Sequence, residues 1–216
     1  MTAPVTHKST ADARTKVASM GPVQLAPPDV VVSELSVGGI LEIRDEWSAK
    51  VTENMTAALT TRGNIMPATT LSEESRAELD EVTALLRVIA ASRLASLFDA
   101  PQLQKAWNTS PLNFNVGRID RILESTGGEA VVLLFVRDSY ATAGRKSLAV
   151  LSVLAGAVTG VYILPTMGST QMCAALVERD GDVLWFNTLA AGLGDLREKA
   201  GATTAADKLM AGWPGR

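Results

Sequence analysis

The chain has 216 residues, of which 47% are hydrophobic and only 5% aromatic, with a net charge of -3 and a pI near 5.3. That size suits one domain with a core built mainly from Ala, Val and Leu, and the scattered basic residues exclude a general nucleic-acid binder, which needs clustered Lys and Arg. A single cysteine, Cys173, excludes an intrachain disulfide and a Cys-based zinc site, and a single histidine, His7, excludes triads, imidazole bases and histidine metal clusters.

Residues 1–15 are polar and show no hydrophobic period, which predicts a disordered tether ahead of one α/β domain over residues 16–216. Met1–Ala18 lacks the apolar segment of a secretory leader. Pro27 and Pro28 cannot donate to a ladder, so a strand is expected mainly after them, ended by Gly38-Gly39. A helix follows, with Asp45 as N-cap and Trp47, Val51, Met55 and Leu59 in one stripe; Gly63 suits its stop.

Asn64–Leu71 reads as a short strand. Thr70 with Glu73 offers a capping box for the next helix, with Ser72 as the alternative cap. That helix extends to about Phe98, with Val82, Leu85, Leu86, Ile89, Leu94 and Leu97 as its apolar face. Its acidic first turns (Glu73, Glu74, Glu78, Asp80, Glu81) suit the positive end of the helix dipole and read as a solvated face.

After a connection containing Trp107, a helix is expected over Val116–Ser125, closed by Gly127-Gly128. Val131–Val136 is an unbroken apolar run, as in a central strand covered on both faces. Gln171–Asn187 reads as two strands joined by an Asp180-Gly181-Asp182 turn, and a last helix lies near Leu196–Ala211. The expected fold is α/β: a two-layer sandwich whose mixed sheet carries a C-terminal antiparallel hairpin, with helices packed on the sheet.

This order of elements has a resemblance. Pro27-Pro28-Asp29 opens a strand, a helix starts near Trp47, and a buried strand and a glycine-basic segment follow. Ala174-Ala175-Leu176-Val177 then pairs with Asp180-Gly181-Asp182-Val183-Leu184-Trp185-Phe186-Asn187. The pattern, spanning about residues 16–211 and carried mainly by 129–197, resembles small bacterial envelope lipoproteins related to the curli-secretion-channel group. The core of that group is similar to the amino-terminal domain of the TolB periplasmic protein. The resemblance implies a periplasmic protein at the outer membrane, lipid-anchored at a mature amino-terminal cysteine absent from this chain. It also implies action in assembly, secretion or envelope maintenance rather than catalysis.

Candidate sites are few. Leu148–Leu164 carries no charge. Three readings stay open for it: a buried helix or loop-and-strand of the core, an oligomer contact through Gly156 and Gly160, or a membrane-inserting segment, short of the roughly 20 residues a span needs. Gly144-Arg145-Lys146-Ser147 lacks a phosphate loop, since Ser139 and Arg145 replace its first glycine and its lysine. Gly192-Leu193-Gly194 has Arg197 where a dinucleotide fingerprint needs a third glycine, so it reads as a loop with Asp195 capping the helix.

Asp180 and Asp182 read as turn residues rather than a calcium site, and Cys173 as a small buried hydrophobe. Trp47, Trp107 and Trp185 read as core or rim residues. Arg137-Asp138-Ser139-Tyr140, at the end of the central strand, is the first polar cluster to inspect, because strand ends present functional groups in α/β sheets.

The expected function is a non-enzymatic envelope protein that assembles with itself, in a ring or other homo-oligomer, or docks on a larger envelope complex. It has no cofactor, metal or nucleic-acid partner, and its membrane link is the lipid anchor. The candidate interaction surface comprises Arg137, Asp138, Tyr140, Arg145, Lys146, Gly156, Gly160 and Tyr162. The runner-up is a small-ligand or nucleotide-binding protein that uses the loops after strands 129–140 and 183–189.

Overall fold

The computed structural model describes residues 7–62, 64–68, 70–98, 105, 107–159, 168–190 and 194–215. In chain order the elements are β1 (Lys8–Ser9), α1 (Ala13–Ser19), β2 (Val23–Leu25), β3 (Asp29–Leu35), β4 (Leu41–Ile43), α2 (Asp45–Thr60) and β5 (Ile65–Pro67). Then come α3 (Glu73–Phe98), α4 (Asp120–Thr126), β6 (Ala130–Ala141), α5 (Ala143–Thr159), β7 (Thr170–Glu178), β8 (Val183–Ala190) and α6 (Lys199–Leu209).

Among the described residues eight strands form one mixed sheet, with β6 in the middle. On one side β6 pairs antiparallel with β7, which pairs antiparallel with β8, and β1 finishes that edge. On the other side its first half pairs in parallel with β2 and its second half with β3. Pro27 and Pro28 explain the division. Leu25 lies opposite Val132 and Asp29 opposite Phe135, so Ala26, Pro27 and Pro28 face only Leu133 and Leu134. Two residues without an N–H thus sit where one extra residue must bulge. Beyond this break β2 pairs with β5 and β3 turns back as the β3–β4 hairpin.

Strand alternation divides the core in two. Val132, Leu134 and Val136 share a face with Met172, Leu176 and Trp185, packed with Val51, Met55 and Leu59 of α2 and the alanine-rich side of α6. Val131, Leu133 and Phe135 share the other face with Cys173, Ala175 and Phe186, packed with Leu79, Val82 and Leu86 of α3 and Ile122 and Leu123 of α4. The mixed sheet, its C-terminal hairpin and the packed helices match the expectation. The helices cover both faces rather than one, since β6 and β7 are apolar on both.

Several boundaries differ from the sequence reading. The segment expected to be a tether is placed from residue 7 onward: Lys8 and Ser9 pair with Phe186 and Trp185, and Ala13 and Val17 are buried. Backbone pairing with β8 and the burial of Ala13 and Val17, one turn apart on α1, hold this polar segment in place. Asp45 is the first residue of α2 rather than its cap, which is Arg44. Ser72, not Thr70, caps α3 by accepting the Ser75 N–H at 3.1 Å. Helix α4 begins at Asp120, because Asn115 is bridged to Asp182 and the Val116 N–H is committed to Gly181 O. In α3, Leu85 is exposed while Val82 and Leu86 are buried. Gly63, the side chains of Leu94 and Leu97, and Gly192-Leu193 fall outside the described residues.

Replacing Leu134 by Ala, at 3% exposure in the first core, should cost about 2–5 kcal/mol in urea unfolding. Val88→Ala, at 66% exposure on α3, should stay within about 0.5 kcal/mol.

Candidate functional site

The polar end of β6 does not form one surface. Arg137 lies on the α3 face, where its Nη2 donates to Asp29 Oδ2 at 2.9 Å and its guanidinium sits 4.4 Å from the Phe135 ring. Arg87 of α3 donates to the same Asp29 carboxylate at 2.8 Å, so Asp29 joins β3, β6 and α3.

Asp138 and Tyr140 lie on the opposite, α2 face. Asp138 is buried; its Oδ1 accepts the Thr170 hydroxyl at 2.7 Å and the Ser139 N–H at 3.0 Å. Burial pushes its carboxyl above the usual range, and the donors around it, Tyr140 and Thr170 among them, only partly offset that. Buried in this way, Asp138 adds nothing to an exposed contact surface, although the sequence placed it in one.

Tyr140 is half-buried and meets Trp47 edge-to-face at 6.0 Å. The Arg197 guanidinium lies 4.3 Å from the Trp47 ring and 4.1 Å from that of Tyr140, a favourable cation–π arrangement. Asp195 holds Arg197 through two hydrogen bonds of 2.8 and 2.6 Å, and Arg197 in turn holds the Asp195 carboxyl below its ordinary range. The Leu196 N–H donates to the Tyr140 hydroxyl at 2.8 Å, whose pKa is driven upward by burial and then by Asp138.

Asp195 therefore braces the turn ahead of α6 rather than capping that helix, whose N-cap is Glu198. Gly201 permits this, since a Cβ there would lie 2.1 Å from Asp195 O. The cluster works as a clamp that locks the turn before α6 onto β6 and α2.

Of the remaining sequence candidates, Arg145, Lys146 and Gly156 lie on α5. Arg145 Nη1 donates to Ser36 O at 3.1 Å and Val37 O at 3.3 Å, tying α5 to the β3–β4 hairpin, and Lys146 is exposed. Gly156 lies within α5, whereas Gly160 and Tyr162 fall outside the described residues. Among the described residues no helix is long and apolar enough to cross a membrane.

Around Arg145 lies a surface the sequence reading missed. Val37, Ile40, Leu41 and Ile43 of the hairpin are 52–66% exposed, and Leu148 and Leu151 of α5 are 40% and 61% exposed. Helix α5 meets the hairpin at Val37, which a Cβ on Gly144 would approach to 2.7 Å, and Gly144, Leu148 and Leu151 follow the i, i+4, i+7 spacing of one helical stripe. The signal was present in Ser36-Val37-Gly38-Gly39-Ile40-Leu41, an apolar run folded on a glycine pair, as hairpins are. Gly39 supplies the positive φ, 84°, at that turn.

At the β7–β8 turn, carboxylate oxygens of Glu178, Asp180 and Asp182 come within 4.8 Å of one another. Lys16 pairs with Glu178, and Asn115 Nδ2 donates to Asp182 at 2.7 Å, so these acids brace the turn. Cys173 is buried, and burial pushes its thiol up, away from the reactive thiolate.

No family model matches the chain, and none of the curated proteins matches it. Among solved structures, a point variant of PelC from Paraburkholderia phytofirmans, solved as a dodecamer, aligns over 98% of this chain and 99% of its own, at 14% identity and a TM-score of 0.35. At that score the likeness carries no argument about ancestry or activity.

Two substitutions test the clamp. Because the folded state disfavours ionised Asp138, its contribution is most favourable when protonated and declines as pH rises from the ordinary carboxylate range through its own raised value. Asp138→Asn should therefore be more stable than the parent at neutral pH, the gap closing on acidification, as read by thermal unfolding across pH. Gly201→Ala should lose about 1–3 kcal/mol by forcing the Asp195 turn off α6.

Proposed function

We propose that this chain is a non-enzymatic assembly domain of the bacterial cell envelope. In this reading it is periplasmic, held at the outer membrane by a lipid anchor, and acts in secretion or envelope maintenance by joining copies of itself or a larger complex. The observation that carries the assembly part is the joined apolar surface of the β3–β4 hairpin and the first turns of α5. Soluble monomers seldom expose a contiguous apolar patch of this kind without using it.

Its shape favours a protein partner over a small ligand. It is an edge hairpin, with Leu41 and Ile43 on a strand that pairs only with β3 among the described residues. Such an edge can accept another strand while its side chains bury apolar area. The clamp at Tyr140 supports this role by fixing the end of β6, from which α5 departs one residue later. The envelope setting rests on the sequence resemblance.

Light scattering after size exclusion should find the chain self-associated at micromolar concentration. Ile43→Glu combined with Leu148→Glu, both at exposed positions, should shift it to monomer with unchanged thermal stability. A parent that stays monomeric at every concentration and copurifies with no partner would refute the assembly reading. Fractionation of the producing cells, with protease added to spheroplasts, tests the location separately.

A further inference from the structure

The hydrogen bonds at the two ends of the β3–β4 hairpin fix which way its backbone points. The Arg44 N–H donates to Val32 O at 2.9 Å, and the Ser36 N–H donates to Ile40 O at 2.9 Å. Bonded and non-bonded pairs alternate along an antiparallel ladder, and Glu34 lies opposite Glu42 midway between those two ends. Residues 40, 42 and 44 therefore turn their N–H and C=O groups toward β3. Leu41 and Ile43 turn theirs away from it, to the side of β4 where, among the described residues, no strand pairs.

The side chains follow the same parity. Leu41 lies opposite Leu35 and Ile43 opposite Ser33, so all of them share one face of the sheet. Leu35 and Ser33 are buried there, whereas Leu41 and Ile43 are 59% and 64% exposed. Glu42 lies on the other face with Arg44, whose guanidinium donates to Glu42 at 3.0 Å and also pairs with Glu34.

We infer that β4 pairs antiparallel with β4 of a second copy, about a two-fold axis at Glu42; this deepens the assembly reading and rests on it. In that register Leu41 lies opposite the second copy's Ile43, and the two exchange both of their outward N–H···O=C bonds. The same holds for Ile43 and the second copy's Leu41, so every outward group of the pair is satisfied. The apolar row Leu35, Leu41 then continues into the second copy's Ile43 and removes both exposed side chains from water. The other sheet edges match β4 less well, since β1 has only two residues and β5 loses a donor at Pro67. One feature opposes the pairing: Glu42 meets its own copy across the axis, and Arg44, shared with Glu34, only partly neutralises it.

That opposition makes the axis testable. With Glu42→Cys, the introduced thiols face each other at a non-hydrogen-bonded pair, with Cα atoms roughly 4.5 Å apart and within disulfide reach. Mild oxidation should convert this variant to a disulfide-linked dimer on a non-reducing gel. Val88→Cys, at an exposed position of α3, should stay monomeric on the same gel, and the buried Cys173 should add no background. Glu42→Gln should lower the dimer dissociation constant about twofold to fivefold in sedimentation equilibrium, because it removes like charges placed directly opposite each other. Suppose the chain self-associates in light scattering, yet Glu42→Cys cross-links no faster than Val88→Cys and Glu42→Gln leaves the dissociation constant unchanged. That result would overturn the two-fold pairing and leave the assembly reading standing. A parent that is monomeric at every concentration would overturn the pairing outright.

Discussion

The long strand β6 makes every other placement possible. Its register to β7 runs unbroken from Ala130 opposite Glu178 to Asp138 opposite Thr170, and both of its faces are buried along most of that length. A slip of one residue would exchange Val132, Leu134 and Val136 with Val131, Leu133 and Phe135, moving each set into the other core. Because the two sets fill differently shaped spaces, one against α2 and α6 and one against α3 and α4, such an exchange has no equivalent packing. At the end of β6 the same alternation sends Arg137 toward α3 and Asp138 with Tyr140 toward α2.

The edges of the sheet are finished in different ways. The outer strand β5 ends in Pro67, which removes a donor from an exposed edge, and β1 is only two residues long. The three-residue β4 is also short and carries Glu42, paired with Arg44, but on either side of that residue Leu41 and Ile43 are exposed. The clamp of Tyr140, Trp47, Arg197 and Asp195 fixes the end of β6 to α2 and the turn before α6.

Much of this architecture is legible in the residues. Val131–Val136 announces a central strand because an apolar run of strand length needs cover on both faces. Trp47, Val51, Met55 and Leu59 announce α2 by their spacing, and Asp180-Gly181-Asp182 marks the hairpin turn. Other features depend on tertiary partners that composition does not encode. The Lys8–Ser9 strand exists because β8 offers an edge; locally the segment is polar. The pairing of Asp29 with Arg137 and Arg87, and of Arg197 with Trp47 and Tyr140, joins residues far apart in the chain. The hairpin surface was locally visible, but its exposure was not, since apolar alternation reads the same whether a strand faces a core or open solvent.

Hydrogen exchange followed as a function of protein concentration tests the assembly claim most directly. The account predicts that amides of Leu41–Ile43 and of the first turns of α5 gain protection as concentration rises, while those of β6 and β7 stay equally protected throughout. Exchange at β4 and α5 that is fast and identical at every concentration, alone and with envelope extract added, would contradict it.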